Sequence, residues 1–224
     1  GDSPFTDNSS NAYSMTTLGT ISEATFGPFD GTEAGEGGLV WFKNRTTGGT
    51  DHNLYDTERG DLRLRSNASG GELDQASLVS VGFNSNGFSL NASGNYNDWN
   101  ASGEVFASWT FRKAPKFFDV VTYTGDGTSS REIAHNLGTT VGSIFIKPTS
   151  QAYDWSVYHR STGETGFLAL NTTVAFEDDN RWWNDTAPTS THFTLGNRYF
   201  VNESGTEYVA YLFAHNSGNG RFGP

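Results

Sequence analysis

The sequence predicts an all-β protein built as two tandem, related antiparallel β-sandwich halves of jelly-roll type. Three observations carry that expectation. The chain has 27 Gly among 224 residues, and its polar surface is drawn mainly from Asn, Ser and Thr, a composition of short strands and tight turns. No long window shows the 3.6-residue apolar period of an amphipathic helix. Finally, the chain repeats itself, and a repeat decides architecture before any single element does.

The repeat can be followed segment by segment. Leu39-Val40-Trp41-Phe42-Lys43 matches Ser143-Ile144-Phe145-Ile146-Lys147, and Asp51-His52-Asn53-Leu54-Tyr55 matches Asp154-Trp155-Ser156-Val157-Tyr158. Gly60 pairs with Gly163, Asn67-Ala68-Ser69 with Asn171-Thr172-Thr173, and Phe88-Ser89-Leu90 with Phe193-Thr194-Leu195. Asn100-Ala101-Ser102-Gly103 pairs with Asn202-Glu203-Ser204-Gly205, each leading into an apolar run, Val105–Phe111 or Tyr208–Phe213. The offset stays near 103 residues, drifting only between 102 and 105, which chance similarity would not sustain across separate segments.

Arg112-Lys113-Ala114-Pro115-Lys116 interrupts the pattern and sets the expected boundary, with a first sandwich over 1–113 and a second over 117–224. Residues 1–36 belong either to a preceding domain or to the first strands of this one. Phe118–Thr124 alternates as a half-buried strand does and turns at Gly125-Asp126-Gly127; Ser85-Asn86-Gly87 is a second predicted turn. Ile144-Phe145-Ile146 and Tyr208–Phe213 are unbroken apolar runs, expected as central strands covered on both faces. The chain opens on Gly1-Asp2-Ser3-Pro4 and closes on Gly220-Arg221-Phe222-Gly223-Pro224, and is expected to be a piece of a longer polypeptide.

Composition also narrows the function. A net charge of -11 with no Lys/Arg cluster is repelled by phosphate backbones and anionic membranes, so no nucleic-acid partner is expected. No stretch approaches the ~20 apolar residues of a membrane span, so no membrane insertion is expected. With no cysteine there are no disulfides and no thiolate metal sites, which fits a cytosolic protein or a virion component assembled in a reducing cytosol. Six Trp and seventeen Phe compensate for a modest aliphatic content, because each ring buries a large area.

Chemistry-bearing motifs are few. Gly218-Asn219-Gly220-Arg221-Phe222-Gly223 has the glycine spacing of a dinucleotide fingerprint but no following helix to hold a pyrophosphate, so it reads as a turn and no cofactor is expected. The five His, at 52, 135, 159, 192 and 215, show no zinc spacing, and Glu177-Asp178-Asp179-Asn180 lacks the alternation and glycine of a Ca²⁺ loop; no metal is expected. Eight Asn-x-Ser/Thr sequons, at Asn8, Asn44, Asn67, Asn91, Asn100, Asn171, Asn184 and Asn202, are what an Asn/Ser/Thr-rich chain produces by composition. The acids are too many for the sequence to single out a glycosidase pair.

The candidate ligand-binding residues are Trp182, Trp183, Asn184 and Asp185, together with Trp155, His159 and Arg160. If Arg181–Asp185 is extended, adjacent side chains point to opposite faces and one indole faces outward beside Asn and Asp, the chemistry that stacks a sugar ring and bonds its hydroxyls. Packing of both indoles against the neighbouring half is the competing expectation. His159-Arg160 lies near Asp154 and has Asp56-Thr57 as its first-copy counterpart, so it is no shared scaffold feature.

Three strings are distinctive: Ala107–Gly125, Asp154–Ser161 and Tyr208–Asn216. All three resemble a repeat family of long structural proteins of marine tailed phages, tail-fibre or tail-associated proteins that often carry concanavalin- or laminin-G-like domains. The resemblance covers residues 37–224 and brings no catalytic residue with it. It implies a non-enzymatic virion-surface, extracellular role as a spacer and assembly segment of a tail fibre or appendage. The partners it implies are copies of the chain itself, with trimers as the analogy from context, and other virion proteins. A carbohydrate-binding module for a cell-surface glycan is the alternative, and a glycan depolymerase the least favoured.

Overall fold

Each copy of the repeat contributes one large antiparallel sheet and one two-stranded ribbon. In the computed structural model, which describes residues 37–84, 87–92, 94 and 96–215, the first copy forms β1 (Gly38–Asn44), β2 (His52–Asp56), β3 (Leu62–Arg65), β4 (Leu73–Asp74), β5 (Val79–Asn84), β6 (Gly87–Ala92) and β7 (Phe106–Arg112). The second forms β8 (Phe118–Thr124), β9 (Arg131–Ala134), β10 (Val141–Pro148), β11 (Ser156–His159), β12 (Gly163–Ala169), β13 (Glu177–Asp178), β14 (His192–Leu195), the one-turn helix α1 (Tyr199–Asn202) and β15 (Glu207–Ala214). The protein is all-β and antiparallel throughout its described pairings, as expected from its turn-rich composition. The expectation for residues 1–36, the sequon at Asn8, the glycine pattern at 218–223 and two residues of the turn predicted at Ser85-Asn86-Gly87 lie outside the described residues.

The sheets repeat as the sequence does. The first copy gives the order β4-β3-β2-β1-β7, and the second gives β13-β12-β11-β10-β15-β8, the same arrangement with one added edge strand. Register confirms the equivalence: Trp41 faces Leu54 and Trp109 across its two neighbours, as Phe145 faces Val157 and Tyr211. The matched glycines also behave alike. Gly60 and Gly163 both turn a hairpin with positive φ, 67° and 78°, in open space that no neighbour fills. Only a residue without Cβ takes that conformation freely.

The two large sheets face one another. Leu39, Leu54 and Leu64 of the first sheet pack onto Phe118, Val120, Val209 and Tyr211 of the second, with Trp155 between them, so the copies share one apolar layer. Outside it, each sheet is covered by a two-stranded ribbon. β5-β6 closes over Val40, Phe42 and Tyr55, and β9-β14 closes over Ile144, Ile146, Tyr208, Ala210 and Leu212. The stack therefore has four layers, and β1, β10 and β15 are buried on both faces. That is why their sequences run as unbroken apolar stretches instead of alternating.

Polar groups also cross between the copies. Asp56 and Arg59 of the first copy form a buried ion pair (2.7 Å), and Tyr211 of the second donates its hydroxyl to Asp56 Oδ2 (2.7 Å) while accepting from Arg59 Nη2 (3.1 Å). Trp155 Nε1 donates to the Arg65 carbonyl (2.9 Å). The buried Lys147 ammonium donates to the carbonyls of Ser69 (3.0 Å), Pro148 (2.9 Å) and Tyr153 (2.8 Å), tying a loop of each copy to the other.

Candidate ligand-binding groove

The structure corrects the expectation of an outward indole. Asn180–Asp185 is a tight turn and not a strand, with positive φ at Asn184 (52°) and Asp185 (46°), a conformation that Asn and Asp tolerate best among residues with a Cβ. The period-2 argument needs extended backbone, so both indoles point inward: Trp182 is 2% exposed and Trp183 1%. Trp183 joins the outer core against Tyr158 (5.7 Å between ring centroids), with its Nε1 lacking a hydrogen-bond partner. Asn184 is spent on Ser130 Oγ (2.9 Å), and Asp185 stands exposed. Trp155, a third candidate, is buried in the layer shared by the copies.

Trp182 nevertheless forms the wall of a groove. Its ring lies parallel to Phe167 (3.7 Å, 1°) and stacks on Phe200 (5.6 Å, 17°), and its Nε1 donates to Ser156 Oγ (2.9 Å). The turn is clipped to α1 by Gly196 N to the Trp182 carbonyl (2.9 Å) and Arg198 N to the Arg181 carbonyl (2.9 Å). A Cβ on Gly196 would lie 2.3 Å from the Arg181 carbonyl oxygen, so glycine is required for this approach. The result is a hollow of ≈260 Å³ between β11, β12, the 172–182 loop and α1, lined by Asp154, Phe167, Val174, Arg198, Tyr199 and Phe200 among others.

Arg198 organises this hollow. Its guanidinium carbon lies 4.7 Å from the Tyr199 ring, 4.9 Å from Trp182 and 5.5 Å from Phe200, and its Nε is buried without a hydrogen-bond partner. Rings on several sides fix the cation by cation–π attraction and leave its Nε without an acceptor. Tyr199, 38% exposed, is held by Tyr153 (4.8 Å) and Phe200 (4.4 Å). At the rim, Asp179 takes Arg181 in a bidentate pair, and the Arg181 side-chain hydrogen bond lowers the Asp179 pKa against partial burial. Asp154 accepts from Asn171 Nδ2 (2.7 Å).

Sequence reasoning named Trp182 and the 154–185 region but missed Arg198, Tyr199 and Phe200. Their signal was the compact Gly-Asn-Arg-Tyr-Phe string after β14, which has no recognised motif and leads into the single helical turn α1. His159 and Arg160 lie elsewhere, exposed at the β11–β12 turn beside a shallow hollow shared with Ser143, Phe213 and His215. His159 Nδ1 accepts from the Ser161 amide (3.2 Å), a local turn bond. A third cleft, ≈390 Å³, opens between the copies and is lined by Glu58, Glu72 and Glu207 with Arg59 and Tyr208. Among the described residues no His, Asp or Glu side chains gather in a metal-ligating group, and the acids at 177–178 are the exposed edge strand β13.

A family model matches residues 31–224, across both copies of the repeat. The chain belongs to that family. It is described only as a domain of unknown function, DUF7483, so membership assigns the chain no activity. No curated protein and no solved structure matches the chain.

Proposed function

We propose that this chain is a non-enzymatic structural module of an extracellular fibre or appendage, a segment of a phage tail fibre that serves as spacer and assembly element. One observation carries the reading: the two copies are welded through a common apolar layer with the Asp56–Arg59–Tyr211 cluster inside it. A module that must stay rigid outside a cell without disulfides needs another source of durability, and a core common to both halves provides one. The sequence resemblance to tail-associated repeats supplies the biological setting. Immunogold labelling of particles released by cells that carry the gene tests it, with antibody against the purified chain. Label along tail appendages is the expected result; label confined to the soluble lysate, with bare particles, refutes the virion role.

A second reading, recognition of a cell-surface glycan, is favoured by the Arg198 groove. Exposed ring surface beside a fixed guanidinium and carboxylates is the chemistry by which proteins hold sugars. The two readings coexist, since an appendage that touches a host surface needs a place to touch it. A glycan array probed with the purified chain tests this one, and the absence of any bound saccharide would remove it.

A further inference from the structure

We infer that the Arg198 groove receives one neutral, hydroxyl-rich sugar ring, at the end or an exposed branch of a glycan; this rests on the glycan-recognition reading above. Size comes first. At ≈260 Å³ the hollow falls just below the ~300–1,000 Å³ of ordinary small-molecule sites, which leaves room for one ring and not for a buried oligosaccharide.

Charge then selects among rings. The hollow is lined by the carboxylates of Asp154, Glu177 and Asp179 and the guanidinium groups of Arg181 and Arg198. Arg181 and Asp179 satisfy each other, so an entering ring meets Asp154 and Glu177 against Arg198 alone, in a chain whose net charge is -11. A ring bearing a carboxylate or sulfate would face a net negative site. A neutral ring meets two acceptors and one fixed donor fork, all charged, and hydrogen bonds to charged partners are about twice as strong as those between neutral groups. The apolar face of the ring has its own complement in the exposed Tyr199, with Val174 in the wall of the hollow. Arg198 Nε, buried without an acceptor, is a donor there whose partner the protein does not supply.

The test uses the whole chain and saturation-transfer NMR with calorimetry, on neutral hexose trisaccharides and the matching uronic-acid trisaccharides. Arg198→Lys keeps the charge and loses the fork, Arg198→Gln removes the charge, and Tyr199→Ala removes the ring. Near-UV circular dichroism confirms that each variant is folded. Neutral trisaccharides are expected to bind through one terminal ring, with affinity falling about tenfold in Tyr199→Ala and in Arg198→Gln, and partly in Arg198→Lys. Binding of uronates alone overturns the charge assignment and leaves glycan recognition standing. Neutral binding that survives all three variants overturns the placement in this groove. Failure of every saccharide to bind overturns both.

Discussion

The Asp56–Arg59–Tyr211 cluster can be perturbed one atom at a time. Asp56 Oδ1 accepts the backbone amides of Glu58 (3.1 Å) and Arg59 (3.0 Å), while Oδ2 accepts Arg59 Nε (2.8 Å) and the Tyr211 hydroxyl (2.7 Å). Asp56→Asn can therefore keep the turn bonds on Oδ1 while removing the charge and presenting an amide to two donors. Burial opposes the charge on Arg59, but the Asp56 carboxylate outweighs it and raises its pKa, so the guanidinium stays charged. Burial raises the Tyr211 pKa, which keeps the hydroxyl protonated to donate. The buried guanidinium is then left with Glu72 (3.3 Å) as counter-charge and the Leu62 carbonyl (3.0 Å) as acceptor, and breaking a buried pair in this way costs up to about 3–5 kcal/mol. For a chain of this size that lowers Tm by about 6–20 °C. Tyr211→Phe alone costs about 1.5–3 kcal/mol, for a bond to a charged group. The double variant should lose less than the sum, by about 0.5–3 kcal/mol. Urea denaturation of the four proteins, followed by tryptophan fluorescence, measures each term. A loss below about 1 kcal/mol in Asp56→Asn, or strict additivity, would show that the cluster does not join the copies energetically.

Four further outcomes follow. Asn171→Ala and Asn67→Ala should cost about equally, roughly 1–2 kcal/mol each by urea midpoint, because Asn67 bonds the His52 amide and Asp51 as Asn171 bonds the Trp155 amide and Asp154. Burial pushes the Lys147 pKa down from 10.5 to about 7, so between those values the folded chain binds fewer protons than the unfolded one. Stability should accordingly rise with pH across that window and the rise should vanish in Lys147→Met; a flat wild-type profile would count against it. Gly163→Ala, at φ 78° with open space around it, should cost about 1–2 kcal/mol through backbone strain alone, read by thermal melting. Trp182→Ala should destabilise the fold by about 3–5 kcal/mol in calorimetry, as expected of a buried indole and not of a surface platform.

Much of the scaffold was legible because repetition and apolar run length are local signals. The β10 and β15 runs read as doubly covered strands and are so, with a core on each face. The duplicated Asn67 and Asn171 showed as repeated sequons; in the fold their amides clasp the start of β2 and of the strand preceding β12 through matching hydrogen bonds. What could not be read is the pairing of the two large sheets, since an apolar face does not name its partner. The site was half legible for the same kind of reason. Trp182 and Trp183 stood out by composition, but their direction depended on backbone dihedrals at Asn184 and Asp185, and extended geometry gives the opposite answer from the turn that forms. Arg198 and Tyr199 reach the groove only because Gly196 allows α1 to approach the Arg181 carbonyl.

The common layer between the copies carries a consequence for inheritance. Its two sides come from matching copies of the repeat, yet they are not interchangeable. The register counterpart of Asp56 is His159, exposed at a turn, and that of Tyr211 is Trp109, 48% exposed on β7. Two first copies in series would put a tryptophan where Asp56 needs a phenol, and two second copies would have no aspartate for it to meet. Recombination that exchanges single copies would break this contact, whereas recombination that moves the pair would preserve it. The unit that can be multiplied or transplanted intact is thus the matched pair, and the family model matches residues of both copies.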